Sequence, residues 1–524
     1  MSRPASPPSV AQAASPAAQE QQWLQRAQER MLCGDMQGAR SVLEEGLAAL
    51  PQSPELMLAL AGASLQSGRA AEAEALLEAL LARSPDHAAA SFLLARLLRE
   101  QGRMTAVAHA LLSLFRNAHP DLEQRLDAIE LLDDCGRQAE AASLCEAAIA
   151  AGAGDPRLYA HAGALAAQLG QFERARERQE FALSHDARAP EWHVPLGLAG
   201  LQRYRDGQHP DFARFAALLE RGDLSAAARG SLLFALGKAH DDIGRYDLAA
   251  RYLRQANAVV GAQVRWPRKL WRRSVEMRLE RVMPAPLPAS PTDWVPVFIV
   301  GMPRAGSTLL AEQLARYPDV RHRGELPWMP TLAARLAPLL ADKDCAAAMQ
   351  AAAATYAAQL RQDDTPARWY IDKQPHNFMH VDLILALFPQ ARIIHCRRDA
   401  RDNALSLWMQ SFHPGTQDFA FDFTDIDTAI RGSRRLMAHW QRRYPQAVYE
   451  VRYEDLVQDI EGSVGALAGW LGLPGTAPAA GTMDNRAIST ASLWQARQPV
   501  HTRSLERWRQ YAQWLPELAN IADR

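Results

Sequence analysis

Residues 295–320 read VPVFIVGMPRAGSTLLAEQLARYPDV. The apolar run Val297, Phe298, Ile299, Val300 stops at Gly301, turns through Met302, Pro303, Arg304, Ala305 and Gly306, and reopens after Ser307 and Thr308 as LLAEQLA. That pattern predicts a buried strand, a glycine-bounded turn and an amphipathic helix. A helix that starts straight after such a loop aims free N–H groups and a positive dipole end at it, which favours a phosphate. Gly301, Gly306 and Thr308 fit the template G-x-x-x-x-G-K-[ST], but Ser307 stands where the template has lysine. The loop's cation is Arg304. The expectation is a phosphate loop, though not one that holds a nucleoside triphosphate with magnesium.

Downstream, strand-like and helix-like segments alternate. HRGELPWMPTL leads into an alanine-rich helical stretch from Leu332 to Leu360, then WYIDKQPHNF, the helix VDLILALF and a second buried strand, ARIIHCRRD. The helix RDNALSLWMQ follows, AVYEVRYEDL predicts a third strand, and EGSVGALAGWLGL a further helix. Such alternation argues a parallel, doubly wound sheet with ligands at the carboxyl ends of its strands. Arg304 and Arg398 each lie just past such an end, so the topology brings two cations to one rim.

Over residues 293–511 these segments resemble the sulfotransferase family, most closely its tyrosylprotein branch. PRAGST resembles that family's 5′-phosphosulfate loop, and RRDARDNALS its 3′-phosphate element, with Arg398 and Ser406 eight residues apart. The resemblance implies a P-loop-like α/β domain, 3′-phosphoadenosine 5′-phosphosulfate (PAPS) as donor, no metal, and in-line transfer of a sulfuryl group to a hydroxyl. Carried over by position, it implies that Arg304, Ala305, Gly306, Ser307 and Thr308 cradle the 5′-phosphate and sulfate. Arg398 and Ser406 then take the 3′-phosphate, with Arg401 as a helper.

Glu325, 21 residues after Arg304, falls on the branch's catalytic base. His322 is the rival, since other branches use histidine. Lys373 aligns with a lysine that stabilises the leaving phosphate, and Asp372 beside it orients rather than reacts. Tyr453 matches a tyrosine near the nucleotide. Ser492, three residues before Gln495, falls on a transition-state serine in a loop that closes over the donor. Arg507 replaces a lysine before a tryptophan, here Trp508, and Arg497 and Arg503 lie in the same piece. The chain departs from the branch at Gln410, where relatives carry an arginine. A donor with about four negative charges in a protein of formal net charge −1 needs local cations. Arg304, Lys373, Arg398 and Arg507 form the expected set.

Upstream, residues 266–292 hold a basic helix with Trp266, Arg268, Lys269, Trp271, Arg272 and Arg273, expected to be a solvated connector. A proline-rich linker from Pro284 to Pro291 follows. Before it, glycines recur at Gly34, Gly68, Gly102, Gly136 and Gly170, a spacing of 34 each time. Ala39, Ala73, Val107, Ala141 and Ala175 each come five residues later. Glycine is about 7% of ordinary sequence, so this register is not chance. The period and layout resemble the tetratricopeptide repeat, stacked helix–turn–helix units. Five regular repeats, an irregular unit around Pro190 to Asp211 and one more at Gly237 to Ala256 fill residues 20–265. Such solenoids present a curved surface for peptides or protein partners. Propping the second domain, or forming a homodimer, is the other use.

Residues 1–19, rich in Pro, Ser, Ala and Gln, read as a disordered leader without a signal-peptide core. Five scattered cysteines with no C-x-x-C pair fit free thiols in a reducing compartment, which points to the cytoplasm. Near-zero net charge gives no global pull toward nucleic acid or a membrane surface. The expected whole is an all-α tetratricopeptide-repeat solenoid followed by an α/β P-loop-like sulfotransferase domain at residues 293–524. The acceptor is a hydroxyl on a peptide tyrosine, a small phenol or a saccharide, with the tyrosine favoured by the branch. Two alternatives stand beside this: a P-loop phosphotransferase, against which the missing loop lysine counts, and a scaffold whose nucleotide-binding domain is inactive.

Overall fold

The computed structural model describes residues 15–117, 120–288, 293–340, 345–474 and 502–521. Ser492, Gln495 and Arg497 lie outside them. By packing, the chain divides into two units, Met1–Ala128 and Ile129–Arg524.

The first unit is built from antiparallel helix pairs, beginning with Pro16–Leu32 and Met36–Ala49. The Ser15 hydroxyl accepts from the Ala18 N–H, and Pro16 sits in the first turn. Both favour a helix start. The helix therefore begins at residue 16, inside the stretch expected to be a disordered leader. The periodic glycines take left-handed backbone at each turn, with φ of 75° at Gly34, 74° at Gly68 and 75° at Gly102. Each donates its N–H three residues back, as Gly34 does to the Met31 carbonyl at 2.9 Å, and the next residue donates five back, as Asp35 does to Arg30 at 2.9 Å. That is the Schellman closure, which a Cβ would strain. Ala39, Ala73 and Val107, five residues on, are fully buried where neighbouring helices touch.

The second unit continues this repeat and then changes architecture. Gly136, Gly170 and Gly244 repeat the turn with φ of 72°, 78° and 76°. Between the last two lies the irregular stretch, with short helices Val194–Gly200 and Pro210–Leu219. The helices Ala226–Asp242 and Tyr246–Gly261 form the final pair.

Five parallel strands follow: β1 Val295–Gly301, β2 Val320–His322, β3 Trp369–Asp372, β4 Arg392–Arg397 and β5 Val448–Arg452. Their order across the sheet is β2-β3-β1-β4-β5. β1 is central and almost wholly buried, so the loop leaving it opens where the winding reverses, the usual ligand crevice of such sheets. β2 and β3, of 3 and 4 residues, are too short to show periodicity in the sequence. The alanine-rich stretch is not one helix over Leu332 to Leu360. Trp328–Leu336 ends just before Pro338, which has no N–H to continue the ladder, and Cys345–Arg361 is a separate helix.

Two features differ from a solenoid tethered by a linker. Leu233, Phe234, Ala249, Leu253 and Ala256 of the final helix pair share one hydrophobic core with Phe298, Ile393, Trp408, Phe423 and Trp440. The last repeat is thus packed into the sheet-bearing part. The basic helix Arg268–Glu280 is docked rather than solvated. Val275 is buried, Arg268 reaches Asp422 at 3.3 Å and also pairs with Asp425, and Arg435 reaches Glu276 at 2.6 Å. Gly432 leaves room for Trp271, since a Cβ there would sit 2.7 Å from the indole nitrogen. None of the five cysteines forms a disulfide. Among the described residues no helix is long and apolar enough to cross a membrane.

Candidate active site

The loop after β1 is held from several sides. Gly301 has φ of 143°, and a Cβ on it would lie 2.3 Å from the Cys396 carbonyl oxygen of β4. Gly306 has φ of 95°, and its Cβ would meet the Tyr453 ring at 2.5 Å. Arg304 itself sits in left-handed backbone, φ 69°, a strained conformation for a side-chain-bearing residue. The Asn403 amide donates to the Pro303 carbonyl at 2.9 Å, and Arg398 Nη1 donates to the Arg304 carbonyl at 3.1 Å. Carbonyls are thereby turned outward to partners, while the helix Ser307–Leu314 starts at Gly306 with its first amides facing the loop.

Arg304, Arg398 and Ser406 come together as expected. Arg304 Nε donates to Ser406 Oγ at 3.3 Å, and the Arg398 guanidinium lies 4.6 Å from the centre of the Tyr453 ring. Arg398 Nη2 also donates to the Ser504 carbonyl at 2.9 Å, and the Tyr453 hydroxyl shares a hydrogen bond of 2.7 Å with Ser504 Oγ. Arg398 Nε is buried with no partner. Among the described residues neither Arg304 nor Arg398 has a carboxylate within ion-pair distance. Burial, then the Arg398 and Arg507 charges, pull the Arg304 guanidinium down to about 10. Burial also lowers Arg398, with Arg507 adding to it. Two half-buried guanidiniums with no countercharge among the described residues are groups that an anion between them would stabilise.

The other half of the site stands at the ends of β2 and β3. Lys373 is only 2% exposed, and its ammonium pairs with the carboxylate of Glu325, which is 48% exposed. The backbone fixes that meeting. The Lys373 N–H donates to the Gly324 carbonyl at 2.9 Å, and the Leu326 N–H donates to Asp372 Oδ1 at 3.2 Å. Asp372 is in turn held by the Tyr356 hydroxyl and by Asn377 Nδ2 at 2.7 Å. Burial pushes Asp372 up to about 7, against the hydrogen bonds that favour its charge. His322 lies 3.6 Å from Glu312.

Residues 296–478 match the model of the sulfotransferase family, and residues 33–97 and 64–129 match that of the tetratricopeptide repeat. The chain carries a sulfotransferase domain behind tetratricopeptide repeats. An uncharacterized protein of Aquifex aeolicus is 27% identical over 527 residues, spanning 93% of this chain and 67% of that protein. Among solved structures, the sulfotransferase domain of the Synechococcus PCC 7002 olefin synthase is 21% identical, with a TM-score of 0.33, covering 46% of this chain and 98% of that one. A tetratricopeptide repeat protein from Parabacteroides merdae is 14% identical, with a TM-score of 0.28, covering 46% of this chain and 93% of that one.

Within the sulfotransferase domain, Arg401, expected as a helper, and Arg507, expected among the donor's cations, each have protein partners. Arg401 Nε donates to the Ile521 carbonyl at 3.1 Å, and its guanidinium lies over Trp508. Arg507 is paired with Asp241, on the last repeat helix but one. Asn403, Ser504, Asp241 and the partners of Asp372, Tyr356 and Asn377, were not among the expected site residues. Asn403 lies inside the quoted RRDARDNALS segment, directly after Asp402. Ser504 and Asp241 join the site only through long-range packing, which no local pattern encodes.

Proposed function

We propose that this protein is a PAPS-dependent sulfotransferase that moves a sulfuryl group to an acceptor hydroxyl. The observation that carries the reading is the Lys373–Glu325 pair at the strand ends of a sheet that presents two guanidiniums, Arg304 past β1 and Arg398 past β4, without carboxylate partners among the described residues.

The residues fit the donor. Arg398, with a buried Nε lacking a partner, and Ser406 suit a 3′-phosphate. The amides and hydroxyls of Ser307 and Thr308, with Arg304, Ala305 and Gly306, suit a 5′-phosphosulfate. Tyr453 shapes the loop through Gly306 and supports Arg398 from below. PAPS supplies an activated sulfuryl group when bound.

Glu325 is the base. It is exposed enough to meet an acceptor, and it takes the hydroxyl proton as the oxygen attacks. Lys373 then has a second partner: its ammonium moves from the Glu325 carboxylate to the oxygen that leaves with the nucleotide, neutralising charge where it develops. The pair therefore exchanges within the reaction rather than serving only stability. Ser492, Gln495 and Arg507 complete the proposed set, the first two outside the described residues. The acceptor class follows from the exposed carboxylate: a hydroxyl, with a peptide tyrosine preferred over a small phenol or saccharide because peptide-binding repeats are fused to the domain.

Mass spectrometry of a peptide and metabolite pool incubated with the protein and PAPS tests the reading. Gain of one sulfuryl group on a hydroxyl, lost with Glu325→Gln, is the expected result. No gain across a broad pool favours the scaffold alternative.

A further inference from the structure

We infer that Asp241, a residue of the repeat array, is a positioning residue of the donor site, acting through Arg507. This rests on the sulfotransferase reading and extends it to a part of the chain that carries none of the family's motifs.

Asp241 lies near the end of the helix Ala226–Asp242, and its side chain is only 10% exposed. One carboxylate oxygen accepts from Arg507 Nη2, and the other accepts from the Tyr511 hydroxyl at 2.5 Å. Tyr511 is fully buried and packs against Tyr246 of the next repeat helix, ring centres 5.1 Å apart. Burial alone would pull the Arg507 guanidinium down, but the Asp241 charge and hydrogen bond override this and hold it above its ordinary range. The segment that carries Arg507 is tied to the crevice on both sides: Arg398 Nη2 donates to the Ser504 carbonyl at 2.9 Å, and the Trp508 N–H donates to Asp402 Oδ1 at 2.9 Å on the helix that bears Ser406. Its charge accordingly lowers both Arg304 and Arg398.

The like charges of Arg304, Arg398 and Arg507 repel, and the Arg507 side chain is 27% exposed. Asp241 is what holds it in. The carboxylate lies on the side of Arg507 that faces the repeat, and it engages one terminal nitrogen. A guanidinium has five N–H donors, so others remain for an anionic ligand. The last repeat is therefore a wall of the donor site, in agreement with the hydrophobic core it shares with the sheet.

The sign of the effect separates this role from plain electrostatics. Removing a negative charge near an anion site should tighten anion binding. Loss of a positioning carboxylate should loosen it. The test is calorimetric titration of the full chain with PAP, the desulfated nucleotide. The wild type is compared with Asp241→Asn, Asp241→Glu, Arg507→Gln, the Asp241→Asn/Arg507→Gln double variant and Arg254→Ala, with thermal melts of each.

Arg254 joins the same repeat pair to Glu517 at 2.7 Å, so its loss reports a loosened interface alone. Expected are about a tenfold loss of PAP affinity for Asp241→Asn, partial recovery with Asp241→Glu, no further loss in the double variant over Arg507→Gln, and near wild-type affinity for Arg254→Ala. Unchanged or tighter PAP binding by a folded Asp241→Asn overturns the inference while leaving the sulfotransferase reading intact. So does an Arg254→Ala loss equal to that of Asp241→Asn. Should Asp241→Asn not fold, an Arg507→Gln variant that folds and keeps full PAP affinity overturns it equally. A wild type that does not bind PAP overturns the reading beneath it, and the inference with it.

Discussion

Lys373 is buried to its tip, and its ammonium ends on the half-exposed carboxylate of Glu325. The pair spans the ends of β2 and β3, and both backbones are pinned, through Gly324 on one side of Glu325 and Leu326 on the other. An ammonium buried this fully needs a countercharge, and the exposed side of the Glu325 carboxylate stays open to a further partner.

Glu325→Gln should lower kcat by about 10²–10⁴, the range for loss of a general base. PAP affinity should stay within about twofold, because the carboxylate faces the acceptor rather than the nucleotide. Steady-state kinetics beside PAP titration checks this, and normal turnover by the variant would remove Glu325 from the role of base.

Lys373→Met keeps the buried stem and deletes the charge. A kcat loss of about 10²–10³ is expected, with a smaller change in KM for the donor, because the ammonium acts on charge that develops in the transition state. A variant that loses only donor affinity would place Lys373 in ground-state binding instead.

Gly306→Ala should abolish PAP binding or weaken it at least about tenfold. The left-handed backbone resists a side chain, and the new methyl meets the Tyr453 ring. The double variant Gly306→Ala/Tyr453→Ala relieves the clash but not the backbone strain, so it recovers part of the folding stability. Thermal melts of the two variants measure this.

Asp372 gives a pH signature. In the unfolded chain its carboxyl loses its proton near pH 4 or about there, whereas burial holds the proton in the folded protein up to about 7. The folded state binds more protons across that window. Its contribution to stability is full below about pH 4, falls as pH rises, and is lost above about 7. Asp372→Asn cannot ionise, so the wild-type melting temperature minus that of the variant should decrease from acid to neutral pH. A difference independent of pH would contradict the assignment.

The repeat was legible because one glycine per unit must take φ near 75°, and a small residue five places on must be buried. Both demands leave a mark at a fixed spacing. The phosphate loop was legible for a similar reason: Gly301 and Gly306 are needed where a Cβ would strike Cys396 or Tyr453. β2 and β3 were not, since 3 or 4 residues show no period. The docking of Arg268–Glu280 was hidden too, because the partners lie far off in sequence: Arg268 with Asp422 and Asp425, and Glu276 with Arg435. A basic stretch read without its partner looks solvated. The same holds for Arg507, whose countercharge at Asp241 lies in the repeat array.

The central claim is that the crevice of Arg304, Arg398 and Ser406 is built for a 3′-phosphorylated adenosine nucleotide rather than for a triphosphate with magnesium. Calorimetric titration of the wild-type chain with PAP, 5′-AMP and ATP with magnesium tests it most directly. PAP should bind at least about tenfold tighter than either of the others, the value of one charge-assisted contact to the 3′-phosphate. Tighter binding of ATP with magnesium than of PAP would contradict the account.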